Sequence, residues 1–340
     1  MAPDVDPLAQ LVAAAVESPH DDAPRLVLAD YLSERGDPRG ELVQLQCMLA
    51  RLSAEAPERG ALELRERALL DAHAARWTAP FLPVVGVAFV RGLLSSLHRS
   101  PTQLLAKQER ATLEASLPHF GVERLILRGP TKKVGALSET SSLAWTPELR
   151  WFDCQLEDAP LAVFARSPHL HRVSTLVLEK LRCGDEGLSA LARSGVLPRL
   201  RRLELPAPTH GGAFTIRGVI ALLEAAPGLR ALHVAQAFRV DLAELAVSPA
   251  LRRLELLSTG TTSRGPALAL ARSPELGALQ ELAFDAVTPV DDTLLDALLE
   301  NPSLARLQRL SFRRPLRGVL DEARVAALRA RLGRGLTIVG

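Results

Sequence analysis

Residues 200–205 read LRRLEL, and residues 251–256 repeat the same six letters. The apolar pattern behind them is L-x-x-L-x-L, with Val, Phe or Cys replacing some leucines. Its eight copies are spaced 22 to 29 residues apart and begin at Val122, Leu149, Val173, Leu200, Leu229, Leu251, Leu279 and Leu307. Self-similarity at this period indicates a stacked array of similar structural units.

A second motif accompanies the first. Before most copies, a small or polar residue is followed by Pro and soon by Leu, as in residues 167–170 (SPHL) and 301–304 (NPSL). Each motif follows a short helical stretch, and Pro ends a helix because it lacks the N–H that a helix interior needs. The sequence therefore predicts one helix, one stop and one strand per unit.

The pattern resembles that of leucine-rich repeat proteins, closest to the class of ribonuclease inhibitor with its helix-bearing units of about 28 residues. The resemblance covers roughly residues 90–340. It implies an α/β leucine-rich repeat solenoid of about 8–9 repeats, with parallel strands on the concave face and short helices outside. The Asn or Cys that this family carries at the ninth repeat position is expected to be missing, and irregular turns are expected. The residues placed there are Pro130, Glu157, Leu181, Pro208, Ala237, Thr259, Val287 and Pro315.

Residues 1–80 are predicted to form a small all-α domain, ahead of the repeats at 81–340. Asp6 and Pro7 are typical of a helix start, predicting a helix over 7–17, and Gly36 is expected to end a second helix. These 80 residues contain 14 acidic residues and 8 arginines, a net charge of −6, whereas the rest contain 25 acidic and 33 basic residues, a net of +8.

Part of this acidic segment carries a resemblance of its own. The phrase ADYLSERGDP at residues 29–38 is similar to that of the bacterial repeat-companion domain, a short helical module at the N-terminus of repeat proteins. The resemblance implies association with repeats and no chemistry. A polar unit of this kind is expected to cap the apolar edge of the first repeat.

Few features of the sequence indicate catalysis. Aromatic residues make up only 4% of the chain, which disfavours a carbohydrate groove or a base-stacking surface. No phosphate-loop, nucleophile-elbow or metalloprotease motif occurs. Metal-binding spacing is absent as well, because no further ligand lies near the three isolated cysteines, the two acidic pairs at helix starts or the one His-x-His at a turn. These groups are Cys47, Cys154 and Cys183, then Asp21-Asp22 and Asp291-Asp292, and finally His169-x-His171. We expect no catalytic residue, no cofactor and no metal.

The concave face is the expected binding surface, because side chains at the third, fifth and seventh repeat positions share it. Its mixture of apolar and charged residues suits a protein partner. The candidate partner-binding residues are Trp151, Asp153, Glu179, Arg202, Glu204, His233, Arg253, Glu255, Asp285 and Arg313. Trp151 is the sharpest candidate. Two alternatives remain for it: the loop 130–147 covers it, or the repeat register is displaced by one residue.

These observations favour a non-catalytic protein–protein interaction module, an adaptor or regulator that acts as a monomer. The N-terminus has no basic region before an apolar run, and no apolar stretch reaches the roughly 18–20 residues of a membrane span, so a cytoplasmic protein is expected. An inhibitor or immunity-like protein of a single enzyme is the alternative. Weak nucleic-acid binding through arginines is a second alternative. It is disfavoured because Arg202 alternates with Glu204, so the positive charge is partly neutralised.

Overall fold

The structure is a computed structural model, and it describes residues 6–82, 88–196, 199–206, 214–238, 242–261, 263–284, 290–312, 321–332 and 335–338. Contacts divide the chain into two compact units. The first comprises residues 1–151 and 167–173, and the second comprises residues 152–166 and 174–340. A separate domain ending at residue 80 stays a prediction.

The described residues of the first unit form mostly helices. The helices are α1 Pro7–Glu17, α2 Ala23–Glu34, α3 Arg39–Arg51, α4 Arg59–Thr78, α5 Pro101–Leu104, α6 Lys107–Phe120 and α7 Val134–Ser138. The strands are β1 Phe89–Val90, β2 Leu93–Leu94, β3 Leu97–Arg99, β4 Arg124–Arg128 and β5 Glu148–Phe152. β1 and β2 form an antiparallel hairpin, β3 pairs with β4 in parallel, and β5 lies on the other side of β4.

The start of helix α1 and the end of helix α2 agree with the sequence prediction. The carboxylate of Asp6 accepts the backbone N–H of Leu8 at 3.0 Å, so the predicted helix over 7–17 is confirmed. After α2 the chain turns through Gly36 at φ 68°, a left-handed conformation that residues with a Cβ rarely adopt.

Apolar faces of α1 and α2 pack together with the β1–β2 hairpin. Their buried cluster comprises Val12, Ala15, Val16, Leu28, Leu32 and Leu93. Arg25 is fully buried, and its guanidinium donates to the Glu123 carboxylate at 2.6 Å. It also donates to the carbonyls of Ser18 at 2.9 Å and Asp21 at 3.0 Å. A buried charge needs such partners, so Arg25 fastens α2 to the residue that precedes β4.

The second unit repeats one strand and one helix. Its described strands are β6 Thr175–Leu178, β7 Arg202–Leu205, β8 Ala231–Phe238, β9 Leu256–Thr261, β10 Glu281–Phe284, β11 Arg309–Phe312 and β12 Leu336–Ile338. Its described helices are α8 Asp158–Ala165, α9 Asp185–Ala192, α10 Ile216–Ala225, α11 Leu242–Ala246, α12 Arg264–Ala271, α13 Asp292–Glu300 and α14 Glu322–Leu332.

Strands β6 to β12 form one parallel sheet in chain order. Parallel neighbours need a crossover, and a common handedness places the crossover helices on one face of the sheet. The expected α/β leucine-rich repeat fold is therefore confirmed. We call the sheet surface opposite the helices, which carries the third and fifth repeat positions, the open face.

The core lies between the sheet and the helices. In β7, Leu203 and Leu205 are buried, whereas Arg202 and Glu204 are half-buried on the open face. The buried leucines form a row of register partners: Leu203, Leu232, Leu257, Leu282 and Leu310. Burying one such side chain contributes about 1.5–3 kcal/mol.

The polar residues before Pro274 and Pro302 have a structural role. Asn301 is buried, and its amide donates to the carbonyls of Ala271 at 2.8 Å and Ser273 at 2.9 Å in the preceding repeat. The hydroxyl of Ser273 likewise donates to the Ala246 carbonyl, one repeat earlier. These side chains satisfy carbonyls at the ends of helices that would otherwise be buried without a donor.

Helix starts are also linked between repeats. Asp158, the first residue of α8, accepts the backbone N–H groups of Gly184 at 2.8 Å and Gly187 at 2.7 Å, at the start of α9. Asp185, which opens α9, accepts the N–H and hydroxyl of Thr215 at 2.7 and 2.8 Å. A Cβ at position 187 would lie 2.6 Å from the Asp158 carboxylate, so this close approach requires glycine.

Candidate partner-binding face

The register of the strands corrects two of the predicted repeats. Leu257 lies opposite Leu232 and Leu282, at the fourth repeat position, where the sequence pattern predicts Leu254. The repeat predicted at 251–256 therefore begins three residues later, at Leu254. The segment is rich in leucine and satisfies the pattern in both registers. The strand pairing decides between them. Three motif prolines agree with it, because Pro168, Pro274 and Pro302 each precede the first repeat position by five residues, as Pro249 precedes Leu254, whereas Pro227 precedes Leu229 by two.

The repeat predicted at Leu149 is displaced by three residues as well. Leu149 and Trp151 are both fully buried in β5, as Leu125 and Leu127 are in β4, so the repeat begins at Thr146. A polar residue is tolerated at this buried position because its hydroxyl accepts the Leu125 N–H at 3.2 Å and donates to the Glu148 carbonyl at 2.8 Å. With both corrections the eight repeats are 24 to 29 residues apart.

Trp151 is consequently a core residue, and its expected place on the open face is wrong. Its side chain is fully buried, and the indole N–H donates to the carbonyl of Gly129 at 2.8 Å. The register is displaced, as one of the two alternatives for this residue proposed, but by three positions and not by one. Trp151 fastens β5 to the turn that follows β4.

The same correction moves Cys154 to the ninth repeat position, where leucine-rich repeats carry Asn or Cys. Its backbone N–H and its thiol both donate to the Glu179 carbonyl, at 3.1 and 3.0 Å. The expectation that this family feature is missing is therefore wrong for this repeat, which binds the turn of the next repeat in the usual way.

Several predicted site residues do not lie on strands of the open face. Arg253 ends a 3-10 turn at Pro249–Arg253, where its guanidinium donates to the Leu223 carbonyl and burial lowers its pKa. Glu255 precedes β9, with its carboxylate 3.9 Å from the Arg230 guanidinium. Asp153 lies in the turn after β5 at φ 54°, 3.5 Å from the Lys180 ammonium.

Other predicted residues have the placement that the repeat implies. Arg202 and Glu204 lie on the open face of β7 and form an ion pair at 2.6 Å, while His233 is the register partner of Glu204 on β8. Glu179 directly follows β6. Asp285 and Arg313 lie outside the described residues. Whether these side chains bind a partner stays a prediction.

The corrected register adds Leu256 and Ser258 to the residues of this face. At the third position, the face carries Thr175, Arg202, Ala231, Leu256, Glu281 and Arg309. At the fifth position, it carries Val177, Glu204, His233, Ser258, Ala283 and Ser311. The five-residue offset shared by Pro168, Pro274 and Pro302 favours this register of β9, in which Ser258 is buried and Leu256 is half-buried.

Charges on this face occur as pairs at its two sides. Arg202 pairs with Glu204, and the Arg309 Nε donates to the Glu281 carboxylate at 2.8 Å from the neighbouring strand. Between them, β8 and β9 present only uncharged side chains or histidine at the described third and fifth positions. This part of the face therefore resembles an interface core with a charged rim.

Within the described residues, no group of three His, Cys, Asp or Glu side chains is arranged to hold a metal ion. No helix in the described ranges is both long and apolar enough to span a bilayer.

All three cysteines should resist modification in the native protein. Burial raises the pKa of Cys47 to about 11 and that of Cys154 and Cys183 to about 12, so the reactive thiolate is scarce at neutral pH. We expect no rapid reaction with Ellman's reagent at pH 8, and three equivalents after unfolding in urea. One fast equivalent in the native protein would contradict this burial.

No protein-family model matches the chain, and no curated protein is significantly similar to it. An internalin of Listeria monocytogenes is 14% identical, with a TM-score of 0.37, over 68% of this chain and 70% of the internalin. A Bacteroides fragilis protein is 13% identical, with a TM-score of 0.41, over 70% and 68% of the two chains. A chain of the yeast Rad7–Elc1 complex is 14% identical, with a TM-score of 0.32, over 81% and 85%.

TM-scores below 0.5 do not establish a shared fold, so the assignment rests on the chain itself. Its parallel strands follow one another in chain order, each separated from the next by a helix. Leucines at equivalent repeat positions are register partners, and Cys154 occupies the ninth position. By these features the chain has a leucine-rich repeat fold.

Proposed function

We propose that the chain is a non-catalytic, cytoplasmic protein-interaction module, which binds one protein partner on the open face of the second unit. The observation that carries the proposal is the uncharged strip on β8 and β9, formed by the half-buried residues Ala231, His233 and Leu256. Protein interfaces have such a weakly polar centre inside a charged rim, with few charges at the core.

The paired charges favour a protein over a polyanion. Arg202 and Arg309 are each neutralised by a carboxylate, from Glu204 and Glu281. Nucleic-acid affinity comes mainly from unpaired cations that displace counterions from phosphates, and this strip offers none at its described positions. A partner with a complementary apolar centre and its own charged rim fits the surface better.

The experiment compares affinity capture by the wild type with capture by the double variant His233→Glu/Leu256→Arg. Charges at the centre of the strip would have to be desolvated by a partner, so we expect at least about a tenfold loss of the captured partner. Binding of the purified partner, measured by titration calorimetry, gives the dissociation constants directly.

Val247→Arg is the matched control, since Val247 is an exposed apolar residue that directly follows helix α11. It should capture the partner as the wild type does, and circular dichroism should show both variants folded. If the folded double variant captures as much partner as the control does, the partner does not bind on this face.

A further inference from the structure

The first unit has an open face of different character. It carries His98 on β3, Arg124 and Arg128 on β4, and Arg150 on β5. These side chains share one face because they alternate with the buried residues of the same strands. We call these four residues the basic patch. Neighbouring strands lie about 4.8 Å apart, so three strands bring the four side chains into an area roughly 10 Å wide.

One carboxylate orients the patch. The Glu148 carboxylate lies 2.9 Å from the Nε of Arg124 and also accepts the Nε–H of Arg150. Burial opposes ionisation of Glu148, but the close ion pair with Arg124 and the hydrogen bond from Arg150 outweigh it, so its pKa lies below the ordinary value. Glu148 therefore stays charged and holds both guanidinium groups in place.

Both guanidinium groups retain donors that could bind a ligand. Each faces Glu148 through its Nε, and within the described part of the chain the terminal nitrogens of Arg124 and Arg150 have no hydrogen-bond partner. Their side chains are 42% and 29% exposed, so these nitrogens can be reached from solvent. Arginine nitrogens in this fork geometry match the two oxygens of a carboxylate.

The patch has an excess of positive charge, unlike the open face of the second unit. Among the residues that the structure describes, Arg124 and Arg150 share one carboxylate, that of Glu148. His98 responds to this field: partial burial lowers the pKa of its imidazole, and so do nearby arginines, chiefly Arg128 and Arg124. At neutral pH the imidazole is therefore uncharged and can gain a proton when an anion neutralises the arginines.

We propose that the basic patch binds an acidic segment of a protein partner, with its carboxylates on Arg124, Arg128 and Arg150. Charge complementarity selects an anion, and the fixed guanidinium groups select planar carboxylates. The patch is too short for a nucleic-acid track, which needs a longer row of cations and stacking side chains. Ile126, at its centre on β4, is 7% exposed and gives the segment an apolar floor.

The test uses the full chain and a fluorescein-labelled decapeptide of alternating Glu and Gly, with fluorescence anisotropy at low salt. We expect saturable binding that weakens as salt screens the charges. Arg124→Gln/Arg128→Gln should weaken it by at least about tenfold, because charge-assisted hydrogen bonds are lost. In the wild type, the peptide should also raise the pKa of His98 in an NMR titration.

Arg202→Gln/Arg309→Gln is the matched control, since it removes two arginines from the open face of the second unit. It should bind the peptide as the wild type does. Equal losses in both double variants, or no binding at low salt, would overturn the proposal. Tighter binding of a single-stranded DNA decamer than of the peptide, lost in the same patch variant, would also overturn it in favour of nucleic acid. None of these outcomes depends on partner capture by the second unit.

Discussion

Replacing Trp151 with alanine is expected to lower the free energy of unfolding by about 3–5 kcal/mol, as for other fully buried large aromatic side chains. The indole is completely inaccessible, and its N–H satisfies the Gly129 carbonyl at 2.8 Å. Alanine would leave both a cavity under the sheet and a carbonyl without its donor. Urea denaturation followed by circular dichroism measures the loss.

Trp151→Phe separates the two contributions. It keeps most of the ring volume and removes the hydrogen bond, so it should cost only about 1–3 kcal/mol. If Trp151→Ala costs less than about 0.5 kcal/mol, as surface substitutions do, the residue does not lie in the core. Loss of partner capture in Trp151→Ala would report damage to β5, and not a lost contact on the binding face.

Arg25→Met should lower the free energy of unfolding by about 3 kcal/mol, the lower end of the range for a broken buried ion pair. The Glu123 side chain is 18% exposed, so solvent compensates part of the loss. The carbonyls of Ser18 and Asp21 also lose their donor. The same urea titration, monitored by circular dichroism, gives the value.

A double-mutant cycle isolates the pair. Glu123→Gln removes the charge that Arg25 neutralises, so Arg25→Met/Glu123→Gln should be more stable than the sum of the two single effects predicts, by about 1–3 kcal/mol. Strictly additive effects would mean that the ion pair contributes nothing. A large coupling would show that the pair stabilises the packing of α2 against the residue that precedes β4.

The existence of the repeats could be predicted from sequence, because apolar periodicity and helix-ending prolines are local signals. The helix at 7–17 was equally accessible, since Asp6 and Pro7 define its start. The register was harder. Residues 251–257 satisfy the pattern in two registers, and only pairing with neighbouring strands selects one.

Side-chain chemistry explains the other error. Thr146 does not match a leucine position, yet its hydroxyl is satisfied by backbone groups when buried. An apolar pattern cannot anticipate such a substitution. The pattern is matched instead at Leu149, and that register places Trp151 on the wrong face. The basic patch was visible in part, because Arg124 and Arg128 stood at face positions, but Arg150 entered it only with the corrected register.

The bonds between successive repeats make the second unit directional. Asp158 and Asp185 reach forward to the start of the next helix, whereas Ser273 and Asn301 reach back to the end of the previous one. A repeat excised from this array would lose acceptors at one end of its helix and donors at the other. Duplication or deletion of repeats during evolution would therefore be tolerated only when whole repeats are gained or lost. Each side chain that bonds to a neighbouring repeat then still finds its backbone partner.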